Sequence, residues 1–170
     1  MSGWRVFLRY WLPALLWAAL IFTASGDAQS AARSSRIIGP LVRWLFPQLP
    51  AATVEDVVFV VRKAAHVAEY AVFAWLVWRV RRRPVRNDAR PWRWGDALVA
   101  WGVVIVYAIS DELHQAFVPP RQASPWDVLL DAAGGAVGLV LLWALHRWRA
   151  RRAGAAAAAA VQSGCSSLRS

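Results

Sequence analysis

The chain has 170 residues, enough for one compact unit, and 58% of them are hydrophobic, above the roughly half usual in soluble domains. The excess gathers into runs near the ~20 residues that cross a bilayer as a helix, which sets a soluble globular fold aside. The net charge of +10 comes from arginines beside those apolar runs rather than from a separable basic domain, so nucleic acid is set aside as a partner, and a single cysteine, Cys165, rules out an intrachain disulfide.

The first apolar run covers Phe7 to Ala24, with Arg5 ahead of it, Arg9 at its start and small residues behind. That order also describes a cleavable signal peptide. Further runs follow, however, and Trp11 and Trp17 suit a retained helix. After a polar loop, Ile37, Ile38, Leu41, Val42, Leu45 and Phe46 recur at helical spacing with Arg36 and Arg43 between them. This segment is too short to span and is expected to be broken by Pro40 and Pro47, which predicts a short amphipathic helix on a membrane surface.

A second run, Val57 to Val80, carries Arg62, Lys63, His66, Glu69 and Tyr70 in its first half. A basic connector with two prolines leads to the third run, Ala97 to Phe117, which ends in Asp111, Glu112, His114 and Gln115. Pro119 and Pro120 terminate it. A short loop with Arg121 joins it to the fourth run, Val128 to His146, preceded by Asp127 and containing Asp131, Gly134 and Gly138. The fold class expected is therefore all-α: a polytopic membrane bundle of four transmembrane helices plus a short interfacial helix between the first two. Residues 1–150 form the membrane domain and 151–170 a disordered Ala/Ser-rich tail.

The most basic short flanks are the N-terminus, the 79–95 connector and the segment from Arg147 onward. The positive-inside rule places these, and with them both termini, in the cytoplasm. His66 and Glu69, the Asp111–Gln115 cluster, Asp127 and Asp131 then converge near the extracytoplasmic face. Helical spacing sets His66, Glu69 and Tyr70 on one face, with Arg62 one turn earlier. It likewise groups Asp111 with His114 and Gln115, and Asp127 with Asp131, Gly134 and Gly138, the last two spaced for close helix approach.

Polar side chains inside a membrane can serve only to join helices, each bond giving ~0.6 to 2 kcal/mol. So many ionisable groups at one level, each costing ~2.5 to 3.5 kcal/mol at mid-bilayer, instead predict a functional pocket.

The segments "KAAHVAEYAVF" and "SDELHQAFVPPRQASPWDVLLDAAGGAVG" resemble the VanZ-like family of bacterial membrane proteins, over about residues 7 to 146. Pro120 stands where that family usually has glycine, and Asp131 where asparagine is common. The resemblance implies an envelope membrane protein. The family is named for a member that gives low-level resistance to the glycopeptide teicoplanin.

The expected function is binding of an envelope ligand in the outward-facing pocket: a membrane lipid, a lipid-linked wall precursor or a lipoglycopeptide. Arg62, Lys63 and Arg121 would hold an anionic group, and His66, Glu69, Tyr70, Asp111, Glu112, His114, Gln115, Asp127 and Asp131 would position it. The alternative is a membrane-embedded hydrolase or transferase. His66, Glu69, Asp111 and His114 offer an N/O set for a divalent metal, although no compact ligand motif is present. Asp111 or Glu112 with His114 would serve acid–base work without one. A transporter or proton relay ranks last, because no polar residues continue the cluster inward along spans two to four.

Overall fold

The computed structural model describes residues 3–25, 30–85, 88, 90–118 and 124–167, and only the backbone of 30–34 and 157–167. Those residues form five helices and no strand: α1 (Gly3–Ser25), α2 (Ser30–Leu45), α3 (Ala51–Arg82), α4 (Trp94–Gln115) and α5 (Pro125–Ser167). Three of them, α1, α4 and the Pro125–Ala156 part of α5, are long and apolar enough to cross a membrane. The four expected spans therefore reduce to three by that measure. α3 is long enough, but Glu55, Asp56, Arg62 and Lys63 crowd its first half and Glu69 follows.

One other expectation changes. Pro40 does not break α2, which runs through it to Leu45. Proline removes one intrahelical bond, a loss tolerable where water or headgroups can replace it. Beyond residue 150, α5 continues as far as Ser167. The six alanines at 155–160 have the highest helix propensity of any residue.

A change of helix type within α1 has a local cause. Pro13 has no N–H to bond the carbonyl of Arg9, and the preceding turn widens into a π-helical stretch, Phe7–Trp11, closed by the Leu12 N–H on the Phe7 carbonyl. The carbonyl that Pro13 leaves free accepts instead from Arg79 Nη2 of α3, at 3.5 Å.

The core is a cluster of Ile21, Tyr70, Phe73, Ala74, Trp78, Ala100, Val104 and Leu139 from α1, α3, α4 and α5. α3 and α5 approach most closely, because α5 presents glycine there. A Cβ on Gly134 would lie 2.6 Å from the Val67 carbonyl oxygen, and one on Gly138 would lie 2.6 Å from that of Ala71. This is small-residue packing read directly from the Gly134-x-x-x-Gly138 spacing.

At one end of the bundle the start of α1, the end of α3 and the start of α4 are clamped by arginine. Arg83, at φ 46°, closes α3 in the left-handed conformation with its N–H on Arg79 O, and Pro84 follows. Buried Arg82 donates to the carbonyls of Arg90 and Pro91, both at 2.9 Å, and faces Asp88 and Asp96 at 3.7 and 3.8 Å. A hydrogen bond from Arg90 holds the Asp88 carboxyl low, at about 2. Tyr10 Oη donates to Pro84 O at 3.0 Å, and Trp78 stacks on Trp92 at 5.4 Å. Arg82 thus has a packing role beyond marking the basic flank.

Gly138→Leu is expected to push α5 off α3 and to cost about 1–3 kcal/mol of stability, the usual penalty of overpacking. Gly102→Leu, where an added Cβ meets nothing within 4 Å, is the control. The check is the unfolding midpoint of each variant in detergent, and equal midpoints would contradict the close α3–α5 contact.

Candidate functional site

At the opposite end from the arginine clamp, polar side chains from four helices meet. Their centre is Asp111, near the C-terminus of α4 and 2% exposed. Ser25, the last residue of α1, donates its hydroxyl to Asp111 Oδ1. Tyr70 of α3 donates to Oδ2 at 3.4 Å, and Gln115, one turn further along α4, donates to the same oxygen at 3.1 Å. A carboxyl buried in an apolar bundle is costly unless its oxygens are satisfied, and here donors from three helices supply that. Tyr107, one turn before Asp111, donates to Ala18 O at 2.6 Å and ties α4 to α1 below the site.

Around this centre lies a more open ring. His66 Nδ1 stands 3.8 Å from Glu69 Oε2, an i,i+3 pair on α3. Trp17 of α1 donates to the Glu69 carbonyl at 2.9 Å. Lys63 pairs with Asp127 at the start of α5, both side chains about a third exposed or less (26% and 34%). Glu112 accepts the backbone N–H of Ser124 at 2.9 Å. The Ser124 carbonyl in turn receives the Asp127 N–H that opens α5, so Glu112 serves α5 as the glutamate of a capping box does, but from another helix.

Asp131 completes the set. It is 4% exposed, its carboxyl makes no hydrogen bond among the described residues, and it has Asp127, Glu112, Asp111 and Lys63 as its charged neighbours.

Two sequence-predicted members stand elsewhere. Arg62 lines a cavity against α2, although its guanidinium and the Lys63 ammonium both lie over the Phe59 ring, 5.6 and 5.7 Å from its centroid. Their carboxylate partners differ all the same: Lys63 pairs with Asp127, and Arg62 has no ion pair among the described residues. His114 does not join Asp111 by a hydrogen bond; its ring stacks on Phe22 of α1 with centroids 4.2 Å apart. Arg121 lies outside the described residues, as do Pro119 and Pro120.

Among the described residues, no three His, Cys, Asp or Glu side chains are grouped as a metal ion would require. The suggested set of His66, Glu69, Asp111 and His114 is therefore not assembled as one ligand sphere. Sequence reasoning omitted Ser25 from the site, although its place at the outer end of the first apolar run was a usable signal. Trp17 and Tyr107 gave no such signal, since an apolar run with aromatics reads as core.

The family model for VanZ/LLP1 matches residues 10–146. The chain belongs to this family. The match takes in every residue of the site, from Ser25 to Asp131. Comparison with curated proteins and with solved structures finds no match.

The Lys63–Asp127 pair joins α3 to α5 where both are partly exposed. A double-mutant cycle of Lys63→Met and Asp127→Asn, read from unfolding in detergent, is expected to give a favourable coupling of ~0.5 to 1 kcal/mol. Strict additivity of the two changes would remove the pair from the account.

Proposed function

We propose that this chain is a multi-span protein of the bacterial cytoplasmic membrane whose polar site binds a positively charged group of an envelope ligand at the extracytoplasmic face. In this reading α1, α3, α4 and α5 all cross. The charges of α3 are tolerated because Lys63 pairs with Asp127, and His66 with Glu69. Arg5 and Arg9, the arginines of the 79–93 segment, and those from Arg147 onward flank the opposite end, and such flanks face the cytoplasm.

The observation that carries the ligand class is the excess of carboxyls. Glu69, Asp111, Glu112, Asp127 and Asp131 face only Lys63 and His66 among the described residues. Lys63 is already paired, and Asp131 has no partner. The anion-holding role first expected of Arg62, Lys63 and Arg121 is not kept in this reading: Arg62 lines the cavity against α2, Lys63 pairs with Asp127, and Arg121 lies outside the described residues. A ligand amine is the complementary group. Amines of that kind occur on lipid headgroups, on lipid-linked wall precursors and on glycopeptides, which links the site to the resistance for which the family is named. The alternative hydrolase or transferase would need His114 to leave Phe22 and meet Asp111 or Glu112.

The test is growth of a glycopeptide-sensitive host expressing the chain. Wild type is expected to raise the inhibitory teicoplanin concentration several-fold over empty vector. Glu69→Gln, which keeps shape and removes a rim charge, should return it to the vector level at matched membrane abundance. Asp131→Asn, the residue common in the family, should lower it less. Full resistance with Glu69→Gln, or none with wild type, would overturn the reading.

A further inference from the structure

α2 and α3 enclose a second site, separate from the carboxyl cluster. It is a cavity of about 540 Å3, within the ~300–1,000 Å3 range of small-molecule sites. Its charged lining is Arg43 from α2, and Glu55 and Arg62 from α3; Val54, Phe59 and Gly39 supply apolar walls. Neither arginine has an ion pair among the described residues. Arg62 lies over the Phe59 ring, 5.6 Å from its centroid.

Below the cavity the two helices are held together by Val42, Val54 and Val58, with Ile38 packed against them. Ile37, Leu41, Trp44 and Leu45 form a stripe on α2 that stays exposed among the described residues; Ile37 and Trp44 are 73% and 77% exposed. A stripe of that size on a basic helix is the pattern of a segment lying in a membrane interface.

We infer that the α2–α3 cavity binds the headgroup of a membrane phospholipid that carries both a phosphate and a primary ammonium. Two guanidinium forks from facing helices suit a phosphate, which each can meet with parallel N–H bonds. Glu55, which lines the same cavity, would repel a headgroup of purely negative charge and suits an ammonium. The acyl chains would run from the cavity mouth over Phe59 and the α2 stripe, which need apolar cover. This site does not depend on the proposed role of the carboxyl cluster, and none of its charged residues contributes to that cluster.

The experiment is native mass spectrometry of the full chain in mild detergent, offered phosphatidylethanolamine and phosphatidylglycerol at equal concentration. Wild type is expected to retain phosphatidylethanolamine in preference. The Arg43→Ala/Arg62→Ala double variant should retain about tenfold less, the loss expected when one or two charge-assisted contacts worth about 1.4 kcal/mol are removed. Gly39→Leu should do the same with an unchanged unfolding midpoint, because a Cβ at that position meets nothing within 4 Å and its side chain enters the cavity. Glu55→Gln should erase the preference between the two lipids. Retention equal to wild type in both the double variant and Gly39→Leu would overturn the site. Binding of free phosphoethanolamine with no lipid retained would overturn the lipid as its occupant.

Discussion

The carboxyl of Asp111 is the interaction on which the polar end of this bundle depends. It is buried at the meeting point of α1, α3 and α4, and takes a hydrogen bond from each of them through Ser25, Tyr70 and Gln115. An acidic group in such surroundings penalises every packing that leaves its oxygens unpaired. The three helices therefore register against one another at this depth. Once they do, Glu112 is aimed at Ser124 and opens α5, and Asp127 and Asp131 arrive beside Lys63 and Asp111.

Contact between α3 and α5 rests on a different principle. Gly134 and Gly138 allow backbone to meet backbone, and hydrogen bonds add little along that seam. Dispersion between closely packed helices drives association where lipid tails are as apolar as the side chains. The bundle thus has a small-residue contact at Gly134 and Gly138 and a polar knot at one end. Its other end is closed by Arg82 and stacked tryptophans. The charge is divided accordingly: carboxyls dominate one end and arginines the other.

Helices and their faces were legible in the sequence because membrane helices declare themselves by apolar length and by three- and four-residue spacing. His66 with Glu69, Asp111 with Gln115, and the α5 glycines all follow from that spacing. The choice among neighbours was not legible. Register states that His114 and Asp111 lie one turn apart, but the packing of α1 decides that His114 meets Phe22. Arg62 and Lys63 are adjacent in sequence, and only the positions of α2 and α5 send one to the cavity and the other to Asp127. Nothing in the sequence joins Arg43 to Glu55 until α2 folds against α3. Pro40 read as a breaker because its effect depends on whether the lost hydrogen bond can be replaced.

The most direct measurement compares the unfolding midpoints of Asp111→Ala and Ser110→Ala in detergent. Ser110 is exposed and bonds only the Tyr107 carbonyl of its own turn, at 2.7 Å, whereas Asp111 is the shared acceptor of three helices. Removing Asp111 should cost several times more than removing the Ser110 hydroxyl, since each buried donor left without a partner costs about 1–3 kcal/mol. Equal midpoints would mean that the carboxyl does not hold the helices in register, and the account of the site would fall with it.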